Sequence, residues 1–140
     1  MIPLNENPKR ILIIDDNKVF REMLKFLISE TPDMTVTAEA GDGHEALDTA
    51  SKNDFDIVIL DIAMPGRDGL NVLKELKIKK PRLPILMLSM FPAEQYELSA
   101  LRAGADGYVR KDNMADQLIE AIQRILNGGK YFKVSFPKDL

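Results

Sequence analysis

The sequence predicts an α/β domain built on a parallel sheet, and three observations predict it. Short unbroken apolar runs alternate with stretches of helical spacing. Each run ends in polar residues that punctuate the chain. Five such pairs follow one another within 140 residues, a length that suits one domain. Unbroken runs rich in Ile, Val and Leu suit strands buried on both faces. Strands alternating with helices imply right-handed crossovers between parallel neighbours.

The first strand is read at Arg10–Ile14, and the helix after it at Val19–Ser29, with Val19, Met23, Phe26 and Leu27 on one stripe. A weaker strand at Met34–Ala38 precedes a helix at Gly43–Lys52 that carries Ala46, Leu47 and Ala50. The third strand, Asp56–Leu60, precedes a helix at Leu70–Ile78 with Leu70, Leu73, Leu76 and Lys77 on its stripe and Val72 beside them. The fourth, Pro84–Leu88, precedes a helix at Pro92–Ala103. Its opening Pro suits a first helical turn, and Gly104 suits a C-terminal cap. The fifth strand is weak, at Asp106–Val109, and the helix after it, Met114–Leu126, stops at Asn127-Gly128-Gly129. Residues 1–128 thus read as one domain, and residues 129–140 as a tail or the start of a linker.

Composition narrows the chemistry. The chain has no Cys and a single His, so disulfides, thiolate zinc sites, iron–sulfur clusters, Cys nucleophiles and multi-His metal sites are excluded. Any metal must sit on oxygen ligands, which points to Mg²⁺, Mn²⁺ or Ca²⁺. A net charge of −3, from 19 Lys+Arg against 22 Asp+Glu, argues weakly against this chain itself gripping nucleic acid. The longest apolar runs, Ile11–Ile14, Ile57–Leu60 and Ile85–Leu88, are four residues, far short of the ~20 a spanning helix needs. The first ten residues lack an apolar signal segment, so a cytoplasmic protein with no membrane partner is expected.

Sites in open α/β sheets form at the carboxyl ends of strands. Asp15 and Asp16 follow the first strand, Asp61 ends the third, Ser89 ends the fourth, and Tyr108 and Lys111 lie around the fifth. Each has a plain structural reading. Asp15 or Asp16 could cap a helix, Asp61 could open a turn, and Ser89 could cap the fourth helix. Tyr108 could be sheet packing and Lys111 a solvated charge. Together they are harder to dismiss, because clustered carboxylates repel and need a cation or an ammonium to offset them.

With these residues in place, the sequence resembles the receiver domain of bacterial two-component response regulators, over Lys9–Gly128. The matching motifs are Ile13-Ile14-Asp15-Asp16, Asp61-Ile62-Ala63-Met64-Pro65-Gly66, Leu88-Ser89 and Gly104-Ala105-Asp106-Gly107-Tyr108-Val109-Arg110-Lys111. The resemblance implies a flavodoxin-like (βα)5 doubly wound fold with strand order 2-1-3-4-5. It implies Asp61 as phosphoacceptor from a sensor histidine kinase. Mg²⁺, with Mn²⁺ as the alternative, would be held by Asp15, Asp16, Asp61 and the Ala63 backbone carbonyl. Ser89 and Tyr108 match the switch pair, and Lys111 the lysine that pairs with the phosphoryl group. The chain would promote its own phosphorylation and dephosphorylation without being an enzyme with an external product. A phosphorylation-dependent homodimer is a further implied partner.

Leu88-Ser89-Met90-Phe91, Arg102-Ala103-Gly104-Ala105, Lys111-Asp112 and Asn127-Gly128-Gly129-Lys130-Tyr131-Phe132 resemble the branch that carries a C-terminal LuxR-type helix-turn-helix. DNA would then be contacted only through that further domain, and a receiver cut at its linker is favoured over a stand-alone one. Lys111 is followed by Asp112 where the family has Pro, so the cis bond that Pro permits is not assured.

Physical chemistry agrees with these roles. Phosphoryl transfer needs a positioned nucleophile and neutralised oxygens, and three carboxylates alone would repel the donor. A divalent cation and Lys111 reverse that local sign. Two rival readings compete, the first with the same layered fold. An FMN-binding electron carrier would want a Ser/Thr/Gly phosphate loop where Asp15-Asp16-Asn17 stands. A Mg²⁺-dependent Asp phosphatase would want Asp-x-Asp after the first strand. His44 reads as a surface residue. The run Lys77, Lys79, Lys80 and Arg82 reads as a solvated helix end, and Met23, Met64, Met87 and Met90 as core filler.

Overall fold

In the computed structural model, which describes residues 7–64 and 68–133, strands and helices alternate throughout. They are β1 (Lys9–Ile14), α1 (Lys18–Ser29), β2 (Met34–Ala40), α2 (Gly43–Lys52), β3 (Ile57–Asp61) and α3 (Gly69–Lys79), then β4 (Ile85–Ser89), α4 (Ala93–Arg102), β5 (Gly107–Arg110) and α5 (Met114–Leu126). A 3-10 turn at Lys111–Asn113 joins β5 to α5. Pro65 and Gly66 of the Asp61 motif, and residues 134–140 of the tail, lie outside the described residues.

All pairings are parallel and the order is β2-β1-β3-β4-β5. The unbroken apolar runs have a simple cause: successive side chains enter two different cores. Ile11, Ile13, Ile57, Ile59, Leu86 and Leu88 pack with Leu24 and Ile28 of α1 and with Leu118, Ala121, Ile122 and Ile125 of α5. Leu12, Ile14, Val58, Leu60, Ile85 and Met87 pack with Ala46 and Ala50 of α2, Val72, Leu73 and Leu76 of α3, and Ala100 of α4. Burying one such side chain contributes about 1.5–3 kcal/mol, so neither face can be surrendered.

Local signals set the helix ends. Asn17 caps α1, its side chain accepting from the Phe20 amide, and Asp42 caps α2 by accepting from Glu45. Helices α4 and α5 end alike. Gly104 (φ +103°) and Gly128 (φ +90°) take the left-handed conformation that Gly adopts without a Cβ penalty. The amides of Gly104 and Ala105 bond back to Leu101 and Ala100, and those of Gly128 and Gly129 to Ile125 and Arg124. Pro92 precedes α4 at the cap position, in extended conformation, and Ala93 is the first helical residue.

The inward face of α1 differs from the expected stripe. Leu24 and Ile28 are buried and Phe20 and Leu27 half-buried, whereas Val19 is 70% and Phe26 66% exposed and Met23 is also exposed. The helix carries two apolar stripes at i, i+4, i+7 spacing, and the one ending in Leu27-Ile28 faces the sheet. Lys77 is another correction. It is mostly buried, pairs with Asp106 at 3.2 Å and donates to the Leu83 carbonyl at 2.7 Å, so it ties α3 to the approach to β5. Met64 and Met87 fill core as expected, but Met23 and Met90 are exposed.

Candidate functional site

The site grows from three strand ends. β1 stops at Ile14, so Asp15 and Asp16 open the loop into α1. Because Asn17 takes the cap position, neither aspartate is consumed as a cap. Asp15 is buried, and its Oδ1 accepts from the Asn17 amide at 2.8 Å. Asp16 is exposed. Asp61 closes β3 at 4% exposure, with Oδ1 accepting from the Ala63 amide at 3.3 Å, so the turn role expected of a lone Asp is present as well. The loop beyond it folds back tightly. The Gly69 amide donates to the Ile62 carbonyl at 2.7 Å, and a Cβ on Gly69 would fall 2.2 Å from the Asp61 carbonyl oxygen.

Lys111 reaches this cluster from the end of β5. Its ammonium lies 2.8 Å from Asp15 Oδ2 and 3.3 Å from Asp61 Oδ2, and 4.2 Å from the centroid of the Phe20 ring. Asp15, Asp16 and Asp61 each offer a carboxylate oxygen, and these oxygens lie within 4.8 Å of one another. One ammonium does not balance them. Burial, then the nearby Asp15 charge, pushes the Asp61 carboxyl up to about 6, against the opposing pull of Lys111 and the Ala63 amide. Asp15 Oδ2 is buried and, beyond its ion pair with Lys111, accepts no hydrogen bond of good geometry. A buried carboxylate oxygen with spare acceptor capacity, beside two more carboxylates and, among the described residues, no His or Cys ligand, is a donor set that fits a hard divalent cation such as Mg²⁺.

Ser89 and Tyr108 lie on the α4 side. Ser89 is fully buried, and its hydroxyl oxygen accepts from the Phe91 amide at 2.9 Å. It does not cap α4. Tyr108 is buried too, with its hydroxyl donating to the Phe91 carbonyl at 2.9 Å, and burial pushes its phenol up. Both residues thus grip one loop residue. The ring of Phe91 packs against Tyr96 of α4, centroids 4.8 Å apart. The Tyr108 ring is buried in the core on the α2, α3 and α4 side of the sheet.

Asp15, Asp16, Asp61 and Lys111 are therefore brought together, with Ala63 bonded to Asp61; Ser89 and Tyr108 form an adjoining pair. Sequence reasoning missed Phe20 beneath the ammonium, the Phe91 carbonyl that anchors Tyr108, and Glu97, a fully buried carboxylate of α4. Phe20 bore one signal, its place on the inward α1 stripe. Glu97 bore none. His44 is exposed in the first turn of α2, as expected. The Lys111–Asp112 bond is trans, as are all peptide bonds among the described residues. Among these residues no helix is long and apolar enough to cross a membrane.

Three carboxylates and an ammonium gathered at one sheet edge have precedents. A family profile described as "Response regulator receiver domain" matches residues 11–123. The chain is 38% identical over 124 residues to the nitrate/nitrite response regulator protein NarL of Escherichia coli (strain K12), covering 89% of this chain and 57% of that one. It is 37% identical over 128 residues to the transcriptional regulatory protein DegU of Brevibacillus brevis, covering 91% and 54% respectively. It therefore spans little more than half the length of these relatives. The crystal structure of a LuxR-family two-component response regulator from Aurantimonas sp. SI85-9A1 superposes with a TM-score of 0.86 at 32% identity, covering 90% of each chain. The chain belongs to the response regulator receiver domain family, and its relatives are regulators of the NarL and LuxR type.

Proposed function

We propose that this domain accepts a phosphoryl group from a partner histidine kinase onto Asp61. The observation that carries the reading is the convergence of Asp61, Asp15, Asp16 and Lys111 at one sheet edge, with Lys111 touching two of the three carboxylates. An Asp61 carboxylate oxygen attacks the phosphorus, the P–N bond to the kinase imidazole breaks, and its electron pair returns to the ring nitrogen. Lys111 then exchanges one of its carboxylate partners for a phosphoryl oxygen. Asp15, Asp16, Asp61 and the Ala63 carbonyl would hold Mg²⁺, or Mn²⁺, which supplies charge neutralisation for the transferred group. Phe20 keeps Lys111 over the cluster, since an ammonium over an aromatic face gains about 0.5–2 kcal/mol. The exposed stripe of Val19, Met23 and Phe26 begins beside Asp16 and offers the kinase an apolar contact.

The new charge is read at Ser89. Its hydroxyl turns from the Phe91 amide toward the acyl phosphate, and Tyr108 fixes the β4–α4 loop through the Phe91 carbonyl. In this reading residues 1–128 are the cytoplasmic regulatory part of a transcription factor, residues 129–140 start its linker with Lys130, Tyr131 and Phe132 still packed on the domain, and DNA is contacted by a separate domain. Incubation with acetyl phosphate and Mg²⁺ tests it by intact mass. Wild type gains one phosphoryl group and Asp61→Asn gains none. No gain in wild type, or equal gain in both, overturns it.

A further inference from the structure

The chain does not simply leave after α5. Gly128 and Gly129 reverse it, and Lys130, Tyr131 and Phe132 return along the free edge of β5. Tyr131 forms a parallel bridge with Gly107. Its amide donates to the Asp106 carbonyl at 2.9 Å, and its carbonyl accepts from the Tyr108 amide at 2.9 Å. Lys130 pairs with the Asp106 carboxylate at 2.5 Å. The two aromatics divide between the two cores, Tyr131 packing against the α1/α5 cluster and Phe132 against the opposite one, which contains Tyr108. Arg124 of α5 lies 5.1 Å from the Tyr131 ring centroid. Gly107 has no room for a side chain here: a Cβ would lie 2.9 Å from Ile125 Cδ1 and 3.0 Å from the Tyr131 carbonyl oxygen.

We infer that Lys130–Phe132 is a strap whose attachment is thermodynamically linked to the inward position of Tyr108, and so to phosphorylation at Asp61. Tyr108 is held at both ends. Its hydroxyl is on the Phe91 carbonyl and its backbone amide is on Tyr131. β5 is only four residues long and pairs with β4 on one side, so the strap is its second neighbour. Fixing the Tyr108 ring lowers the entropy cost of fixing its amide, and the reverse holds equally. A group on Asp61 that favours inward Tyr108 therefore tightens the strap, and the strap raises affinity for that group by the same factor. The strap thus passes the state of the site to the chain beyond residue 133. The phosphorylation arm of this inference rests on the function proposed above.

Amide hydrogen exchange on the 140-residue chain, with Mg²⁺ alone and with Mg²⁺ plus beryllofluoride, provides the test. The Ile13 and Ile59 amides serve as references for global opening, and fluorine NMR reports binding separately. Bound beryllofluoride should slow exchange at Tyr131 about fivefold or more relative to the references. Tyr131→Pro, which removes the amide bonded to Asp106, should weaken beryllofluoride binding by a similar factor while the reference amides stay protected. Binding with no change at Tyr131, or unchanged affinity in Tyr131→Pro, overturns the strap and leaves the phosphoacceptor untouched. Failure of wild type to bind beryllofluoride overturns the phosphoacceptor instead. The strap is then decided by Tyr108→Phe, which lacks the hydroxyl on Phe91: faster exchange at Tyr131 supports the linkage, and no change overturns it.

Discussion

At the scale of single residues, Asp61 sits in a conflict that the fold maintains. Folded, its carboxyl keeps a proton up to about pH 6, whereas the unfolded chain releases it near 3.8. The native state therefore holds the extra proton between those values, and this contribution to stability declines as pH rises through that window. Asp61→Asn removes the buried charge and keeps an oxygen for the Ala63 amide. Without divalent cations it should be more stable than wild type by on the order of 1–2 kcal/mol above about pH 7, with the gain vanishing toward about pH 4. Urea midpoints at the two pH values check this, and an equal offset at both would contradict it. Gly69 carries the opposite kind of constraint. Gly69→Ala places a methyl against the Asp61 backbone and should cost about 3 kcal/mol, seen as a lowered urea midpoint in the metal-free protein. Most of the aspartates, Ser89 and Lys111 could be read from position alone, since strand ends place them. The contact of Lys111 with Phe20 and the inward ring of Tyr108 could not, because they depend on rotamers and on residues far apart in the chain.

At the scale of elements, legibility depended on how many signals marked each end. Helices α2 and α5 have the bounds expected of them, since Asp42 opens the first and Asn127-Gly128-Gly129 closes the second. Strands β3, β4 and β5 each run one residue further than their apolar run, because a strand-end Asp61, Ser89 or Arg110 still pairs through its backbone. Helix α1 turns Leu24 and Ile28 to the sheet, and of the expected stripe only Leu27 packs there. Its two apolar stripes have equivalent spacing, and only the position of the sheet distinguishes them. The distinction is measurable. Leu24→Ala should cost about 2–5 kcal/mol by denaturant unfolding. Phe26→Ser, on the outward stripe, should stay within about 0.5 kcal/mol of wild type. Similar losses in both would mean that the outward stripe is covered.

At the scale of the whole molecule, the doubly buried parallel sheet follows from the alternation of short runs and helices, which the sequence shows plainly, whereas the order 2-1-3-4-5 is implied by the family resemblance. What was not plain is that the fold uses its charges locally: Lys77 and Lys130 both serve Asp106 beneath β5, and Lys111 serves the site above it. A cation held by this donor set would act on the whole domain. Millimolar Mg²⁺ should raise the thermal midpoint of wild type, because a ligand that binds only the native state stabilises it by mass action. Asp16→Asn should show a smaller rise, since its exposed carboxylate is part of the donor set but no part of the core. Differential scanning calorimetry with and without Mg²⁺ checks this, and equal rises would remove Asp16 from the set.

The strand order has one more consequence, for the chain as it is made. β1 emerges before the other strands and ends in the interior of the sheet, with β2 joining one side and β3 the other. β4 then adds to β3, β5 to β4, and Tyr131 to β5. No later strand has to be inserted between two that are already paired. A chain leaving the ribosome from its N-terminus can extend the sheet by accretion at an open margin, with each helix covering the strand just laid down. The segment at Tyr131, which follows β5 in the chain, pairs with the margin that would otherwise remain open to a neighbouring chain.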